Sequence, residues 1–310
     1  MSKSIVIVGA GINGLVAANY LKRSGHEVTL IEKKPSPGGA CANESFIHND
    51  IRYQYPSGAS VLGLMQRFVF EETGLSTRLK TFVPESPKLA FFPNHKGPTY
   101  IHRDPNELDA ELKNKWGESG DATAFRADES KIIDFIQSGY RAGRTPSIDE
   151  ANSVLGNDLV DLWIKGDARS LMDHYFESDL SKIYMAMTVT ESGPVSLSDK
   201  YSAFTIPIMD SGSVFNGYYG FVFQGIWNLT QTLSEINIGL GVDTRLSSNL
   251  VDKHLDEKKV MVECNSKEEW IHYDDLILAT DPMTAHSIIA DINEHQFFSE
   301  NKSRGSSGKI

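Results

Sequence analysis

The feature that most constrains this chain is a glycine-rich segment near its start, Gly9-Ala10-Gly11-Ile12-Asn13-Gly14. The continuously apolar residues 5–8 precede it and predict a parallel strand covered on both faces. Residues 15–24 predict a helix, and residues 28–31 predict a second strand that ends at Glu32. Gly-x-Gly-x-x-Gly alone is a weak signal, but a strand, a glycine turn, a helix and a second strand in this order predict a dinucleotide-binding β-α-β unit.

Each glycine of the motif has a physical role in such a unit. Gly9 permits the tight turn, Gly11 lets the backbone approach a pyrophosphate, and Gly14 lets the helix pack closely on the strand. A carboxylate at Glu32 can accept both ribose hydroxyls and would repel a 2′-phosphate, which favours FAD or NAD over NADP. The alternative is a glycine turn that binds nothing. The predicted cofactor loop also includes Ala10, Ile12 and Asn13.

A second glycine pair, Gly38-Gly39, follows Glu32 closely and is itself followed by Ala40. Residues 5–39 resemble the N-terminal FAD fingerprint of the flavin amine oxidase and phytoene desaturase superfamily, in which a Gly-Gly pair follows the ribose glutamate. This resemblance implies FAD as the cofactor. Many members have arginine after the pair, so Ala40 removes one polar contact near the cofactor. Lys33 supplies charge nearby or is a solvated surface lysine.

A later segment, residues 171–178, resembles part of a phytoene-desaturase-like branch of the superfamily. Members of this branch are called pyridine nucleotide-disulphide oxidoreductase domain-containing protein 2-like proteins. With gaps, this resemblance runs from about residue 4 to about residue 290. Members of the branch are longer and close the FAD site with a C-terminal glycine-rich segment. We therefore expect either the N-terminal part of a longer enzyme or a shortened relative with an open flavin site.

The fold that this resemblance implies is α/β: a Rossmann-like FAD-binding domain, with a parallel sheet and an antiparallel meander, interrupted by a mostly helical substrate-side region. The sequence divides into residues 1–80 and 206–285 for the FAD-binding domain, 81–205 for the inserted hairpin and helices, and 286–310 for a helix and a polar tail. By resemblance, the backbone near Leu250 and Val251 meets the adenine, and Ala279 lies close to the cofactor. Core strands that touch no ligand are the alternative.

The sequence does not identify catalytic residues. Asp173, His174 and Glu177 form an acid/base candidate on one helical face, or polar anchors of a buried helix. An aromatic-rich stretch, residues 215–227, lines an apolar substrate pocket or belongs to the core. Ile226-Trp227 stands where related proteins have glycines, which puts a normal flavin environment in doubt.

Composition restricts the partners. With 30 basic and 41 acidic residues the formal net charge is −11, which argues against nucleic acid or an anionic membrane as the main partner. No apolar run approaches the roughly 20 residues of a membrane helix, while peripheral membrane contact and the oligomeric state stay open. The two cysteines, Cys41 and Cys264, form no Cys-x-x-Cys pair, and no His pair has metal-ligand spacing, so neither a dithiol centre nor a metal site is expected.

The glycine motif and the resemblance together imply an FAD-dependent oxidoreductase of the dehydrogenase or desaturase type. It would transfer hydride from an organic, apolar small-molecule substrate to the flavin, and pass electrons to an acceptor that the sequence does not identify. A reducing compartment, the cytoplasm, is expected, with the mitochondrion also open for a eukaryotic source. Two alternatives stay open: a non-catalytic or regulatory dinucleotide-binding relative with an incomplete flavin site, and an NAD-binding dehydrogenase.

Overall fold

The computed structural model describes residues 2–191, 195–215 and 217–289. Within these ranges the strands are β1 Ser4–Val8, β2 Glu27–Ile31, β3 Asn43–His48, β4 Ile51–Pro56, β5 Thr81–Phe82, β6 Lys88–Ala90, β7 Thr99–Ile101, β8 Phe221–Val222, β9 Asp243–Arg245, β10 Ser248–His254, β11 Lys259–Cys264, β12 Lys267–His272 and β13 Asp275–Leu278. The α-helices in the same ranges are α1 Ile12–Arg23, α2 Arg67–Glu72, α3 Leu75–Arg78, α4 Pro105–Trp116, α5 Ala122–Ala142, α6 Ile148–Leu155, α7 Asn157–Leu159, α8 Ala168–Tyr175, α9 Asp179–Glu191, α10 Thr205–Ser211, α11 Trp227–Gly239 and α12 Pro282–Ile289.

The described chain divides into two compact units. The first, here called the sheet unit, comprises residues 2–62, 69–82 and 221–289. The second, the helical unit, comprises residues 63–68 and the described part of 83–220. The domain boundaries drawn from the sequence stay predictions.

The sheet unit contains a four-stranded parallel sheet in the order β13-β1-β2-β9. Its central strands are buried, with Val6, Ile7 and Leu30 all at most 1% exposed, as the apolar run at residues 5–8 predicts. Beside it lies the antiparallel meander β10-β11-β12. Val260 and Val262 of the meander pack in one core with side chains of β1 and β2. The predicted α/β fold, with a Rossmann-like parallel sheet and an antiparallel meander, is therefore confirmed.

Two buried asparagines join α1 to α11 inside the sheet unit. The side-chain amide of Asn19 donates to the Asn237 carbonyl oxygen at 2.8 Å, and the Asn237 amide donates to the backbone carbonyl of Leu15, also at 2.8 Å. Both side chains are fully buried. Because a buried amide must be hydrogen-bonded, this pair fixes how the helix after the glycine turn lies against α11.

The helical unit is built around α4, α5, α8 and α9, whose buried faces share one large core. Helix boundaries follow local signals. Asp104 caps the start of α4 by accepting from the amides of Asn106 and Glu107, and Gly143 ends α5 in the left-handed conformation. The predicted hairpin is present as β6 paired with β7.

One local expectation is wrong. The apolar stretch 61–70 predicts a helix, whereas the helix there is only Arg67–Glu72. Gly63 lies in that stretch with a Tyr219 ring atom 1.9 Å from where a Cβ would be, so a backbone packed this closely replaces the first helical turn. The hairpin β3-β4, which turns at Asn49 and Asp50, both with positive φ, was not predicted from the sequence. The predicted polar tail falls in residues 290–310, outside the described residues.

Candidate dinucleotide-binding site

A cleft of about 620 Å³ opens in the sheet unit where β1, β2 and β13 end. The carboxyl ends of parallel strands are where α/β sheets bind ligands. The cleft is lined by Val8, Gly9, Gly11, Ile12, Asn13, Ile31, Glu32, Lys33, Lys34, Gly39, Ala40, Ser248, Asn249, Leu250, Ala279, Thr280, Asp281, Thr284, Ser287 and Ile288.

The glycine turn forms the floor of this cleft. Gly9 has a φ of +106°, and a Cβ placed on it would lie 2.7 Å from the carbonyl oxygen of Ala279. A Cβ on Gly14 would lie 2.0 Å from the carbonyl oxygen of Gly9, so α1 packs directly on the turn. At Gly11 the atom nearest to the position that a Cβ would take is the Gly39 Cα, at 3.7 Å. The fold itself therefore requires glycine at positions 9 and 14, whereas a Cβ at Gly11 would make only an ordinary van der Waals contact.

The amino end of α1 points its first amides at the cleft without a side chain to cap them. No acidic residue lies in the first turn of this helix. The dipole and the free amides at such a helix start favour an anion. The first turn of α1 is therefore suited to a pyrophosphate.

Glu32 is held by the backbone of both neighbouring loops. The Ala10 amide donates to its Oε2 at 2.8 Å, and the Lys34 amide donates to its Oε1 at 2.9 Å. The side chain is nearly buried at the edge of the cleft. Each carboxylate oxygen has two lone pairs, so one on each oxygen is left for a ligand that donates hydrogen bonds. A pair of vicinal hydroxyls meets this requirement.

The second glycine pair closes the cleft from the opposite side. The Gly38 amide donates to the carbonyl of Ala10 at 3.0 Å, and Gly39 adopts a φ of +55° with its Cβ position 2.9 Å from the Gly11 Cα. The carbonyl of Ala40 accepts from the Ala59 amide at 2.6 Å. These contacts bring the loop after β2 onto the first glycine turn.

The structure brings most of the predicted cofactor residues together. Those that line the cleft are Gly9, Gly11, Ile12, Asn13, Glu32, Lys33, Gly39, Ala40 and Ala279. Three others do not line it: Ala10 and Gly38 belong to the two glycine turns, and Gly14 lies in the first turn of α1. Val251 does not line it and is 41% exposed, whereas its neighbour Leu250 does. The register of β10 on β11 shifts between Leu250 and Asp252, so Val251 is the extra residue of a β-bulge. The roles of these residues in binding stay predictions.

One wall of the cleft, formed by the start of α12, was not expected from the sequence. Asp281 accepts hydrogen bonds from the Thr284 amide at 3.0 Å and from its hydroxyl at 2.6 Å. These bonds hold the pKa of the Asp281 carboxyl below its usual value. The pair Asp281-Pro282 is a helix-start signal that could have identified this wall.

Ile226 and Trp227, the bulky residues at positions where related proteins have glycines, do not fill the cleft. Ile226 is buried immediately before α11, and Trp227 is the first residue of that helix. Neither lines the cleft. Their place at the start of α11 therefore leaves the volume between the glycine turns open.

The acid/base candidate in the helical unit is not a constellation on one helix. Helix α8 ends at Tyr175, and Phe176 is extended, so Glu177 lies beyond the helix that carries Asp173. Asp173 instead pairs with Lys182 at 2.7 Å. The expectation that Asp173 and Glu177 share a helical face is wrong, because the helix is one turn too short.

Comparisons with known proteins also indicate a dinucleotide-binding domain in the sheet unit. The NAD(P)-binding Rossmann-like domain family matches residues 7–67. The chain is 24% identical to the 4,4'-diapophytoene desaturase (4,4'-diaponeurosporene-forming) of Staphylococcus aureus strain COL over 298 residues, or 93% of this chain and 57% of that protein. It is 38% identical to the phytoene desaturase of Fusarium fujikuroi over 79 residues, or 24% of this chain and 13% of that protein.

Among solved structures, a triple mutant of putrescine oxidase has a TM-score of 0.52 at 15% identity, covering 94% of this chain and 60% of that one. At this identity the match shows the fold alone. The chain thus spans only part of the length of these three proteins, little more than half of the staphylococcal desaturase. In the described part of the chain, no helix has the length and apolarity needed to cross a bilayer.

Proposed function

We propose that this chain belongs to the superfamily of FAD-dependent amine oxidases and phytoene desaturases, that it binds FAD in the cleft of the sheet unit, and that it forms all or part of an oxidoreductase of the desaturase or dehydrogenase type. The substrate would be a small organic molecule, predominantly apolar, that gives up hydride. The electron acceptor and the oligomeric state are left open. The names of the relatives favour an oxidoreductase over a non-catalytic dinucleotide-binding protein.

The observation that carries this proposal is the environment of Glu32. Its two carboxylate oxygens are fixed by amides from two different loops, and both keep a free lone pair at the cleft edge. A carboxylate held in this way binds vicinal ribose hydroxyls and disfavours a 2′-phosphate. The uncapped start of α1 lies in the same cleft and suits the pyrophosphate.

In this proposal the protein supplies binding and orientation. Glu32 holds the adenosine ribose, the α1 amides and Gly11 hold the pyrophosphate, and Ala40 and Ala279 line the walls. Bound FAD would supply the capacity to accept a hydride. Both cysteines are free, which supports a reducing compartment such as the cytoplasm.

A visible-absorbance scan of the purified 310-residue chain tests the cofactor. We expect a flavin spectrum, either directly or after incubation with FAD and removal of the excess. Equilibrium binding should favour FAD over NADH and NADPH. A protein that stays colourless contradicts the FAD proposal, and a preference for NADH would support an NAD-dependent dehydrogenase instead.

The contact between Glu32 and the ribose can be tested with adenosine diphosphate and its 2′-deoxy analogue. The wild type should bind the ribose form at least about tenfold more tightly, since a hydrogen bond to a charged group contributes about 1.5–3 kcal/mol. In Glu32→Gln this ratio should fall towards one. Reading the ratio of two ligands on one variant separates the ribose contact from any general weakening of the loops.

Glu27→Gln is the matched control, because Glu27 begins β2, the strand that Glu32 directly follows, and is exposed and paired with Lys22 at 2.9 Å. It should leave both affinities and their ratio unchanged. If Glu32→Gln keeps the wild-type ratio, Glu32 does not bind the ribose.

A further inference from the structure

A cavity of about 520 Å³ lies in the helical unit and shares no lining residue with the dinucleotide-binding cleft. Its floor is formed by three side chains that are each at most 8% exposed: Ile136, Ala151 and Ile164. Its rim carries three bulky apolar side chains, Tyr140 on α5, Ile148 on α6 and Ile208 on α10, which are 47%, 42% and 39% exposed. The space is therefore concave, and we call it the α5–α6 cavity.

The connection between α5 and α6 fixes the shape of this cavity. Gly143 ends α5 in the left-handed conformation, and a Cβ placed on Gly139 would lie 2.7 Å from the Pro146 Cδ, so the connection packs directly on α5. Ser147 then caps α6: its hydroxyl accepts from the Glu150 amide, while the Glu150 carboxylate accepts from the Ser147 amide. Because these contacts hold both helix ends in place, the cavity is preformed.

The lining offers no uncompensated charge to a ligand. Of the described residues that line the cavity, only Arg144 is charged. Its guanidinium donates to both carboxylate oxygens of Glu150, at 2.6 and 2.9 Å, and this hydrogen bonding lowers the pKa of Glu150 to about 2. The pair is therefore neutral as a whole at neutral pH. The other polar side chains of the lining are hydroxyls, from Tyr140, Thr145 and Ser147.

A neighbouring cleft of about 800 Å³ runs along a different face of α6. Its lining includes the charged side chains of Lys131, Asp134 and Asp149, and its apolar residues include Val154, which is exposed on α6. Charged side chains lose their hydration at a large cost. An apolar ligand would therefore favour the α5–α6 cavity over this larger cleft.

We propose that the α5–α6 cavity binds one neutral, predominantly apolar small molecule, at a site separate from the proposed FAD cleft. Its volume is typical of small-molecule pockets, which span about 300–1,000 Å³. A protein surface would cover the exposed rim without reaching the buried floor, whereas a small molecule contacts both. Binding removes the apolar side chains of the rim from water. A charged ligand would lose its hydration without gaining a counter-ion, while the hydroxyls suit one uncharged polar group on the ligand.

Titration of the full 310-residue chain with N-phenyl-1-naphthylamine tests the site, because the fluorescence of this neutral dye rises in apolar surroundings. We expect one dye molecule per chain with a Kd below about 100 μM, unchanged by excess ADP, which would occupy the dinucleotide cleft. Neutral 1-naphthol should displace the dye at concentrations at least about tenfold lower than 1-naphthoate or 1-naphthylmethylammonium, its anionic and cationic analogues. A weaker Kd, displacement by ADP, or a charged analogue that competes as well as 1-naphthol overturns the proposal.

Variants assign the dye to the cavity. Ile148→Asp should weaken dye binding at least about tenfold, because it places a charge on the rim. Ile148 is the first residue of α6, where an acidic side chain is favourable, so this variant should fold. Val154→Asp is the matched control, since it adds the same charge to the same helix in the neighbouring cleft, and its Kd should equal that of the wild type. If Ile148→Asp fails to fold, Ile208→Asp makes the same test from α10.

The same variants distinguish the other possible occupants. Loss of dye binding in Val154→Asp but not in Ile148→Asp would assign the dye to the neighbouring cleft and contradict the proposal. Analytical ultracentrifugation tests for a second copy of the chain on the rim. A wild-type dimer that binds no dye and that Ile148→Asp converts to a monomer would also contradict it. None of these outcomes bears on FAD binding in the sheet unit.

Discussion

Replacing Gly14 with alanine is expected to lower the free energy of unfolding of the sheet unit by at least about 3 kcal/mol. The added Cβ would lie 2.0 Å from the carbonyl oxygen of Gly9. That oxygen belongs to a backbone turn held by the Gly9 amide on the Ile31 carbonyl at 2.8 Å, so it has no free direction in which to move. Denaturant unfolding followed by circular dichroism measures the loss.

Alanine variants of two other glycines distinguish a steric clash within the fold from a loss of FAD binding. Gly239→Ala should be neutral or stabilising, because nothing lies within 4 Å of its Cβ position at the end of α11. Gly11→Ala should leave the unfolding free energy of the ligand-free protein nearly unchanged, because its nearest neighbour is 3.7 Å away. The same variant should weaken FAD binding, since its methyl group enters the cleft. Equal stability of the Gly14 and Gly239 variants would contradict this account.

The β1-α1-β2 unit could be predicted because each of its signals is local. The apolar run at residues 5–8 is buried on both faces of the sheet, and the glycine turn requires backbone conformations that only glycine adopts easily. Resemblance then extended this local unit to the FAD superfamily, which the comparisons support. The α/β fold class could therefore be predicted from residues that are close together in the sequence.

The hairpin β3-β4 has a local signal of its own. Asn49 and Asp50 both have positive φ, as a two-residue hairpin turn requires, and they separate two runs rich in aromatic and β-branched residues. The expected helix over 61–70 failed for the opposite reason. Its apolar pattern is helical in spacing, but the ring of Tyr219, more than 150 positions later, packs against Gly63. No pattern within the segment contains that contact.

The remaining parts of the candidate sites depend on distant residues. Ser248, Asn249 and Asp281 line the cleft only because β10 and β13 return to the ends of β1 and β2. Ile148 and Ala151 of the α5–α6 cavity have ordinary helical spacing, which indicates a core stripe as readily as a cavity wall. The approach of Ile208 on α10 comes from tertiary packing, which spacing does not encode.

Glu118→Ala should cost the helical unit about 4 kcal/mol, the second large effect we expect. The buried Glu118 carboxylate accepts amide hydrogen bonds from Gly120 at 2.7 Å, Glu177 at 2.8 Å, Ser119 at 2.9 Å and Ser178 at 3.2 Å. It thereby ties the α4–α5 connection to the segment between α8 and α9. Alanine leaves all four donors without this acceptor, whereas glutamine keeps one carbonyl oxygen and should lose less.

The dependence on pH identifies the carboxylate as the source of this stability. Burial alone would raise the pKa of Glu118, but the hydrogen bonds it accepts hold it below its usual value. A depressed pKa in the folded state stabilises the protein above the unfolded-state pKa, and this contribution is lost as the pH falls through the folded-state pKa. The difference in unfolding free energy between wild type and Glu118→Ala should therefore be constant from neutral pH to about pH 5 and shrink below about pH 4.

Glu177→Ala is the control, because it removes an exposed carboxylate nearby and should change the free energy of unfolding by less than about 0.5 kcal/mol. If it is as damaging as Glu118→Ala, the loss is not specific to the buried acceptor.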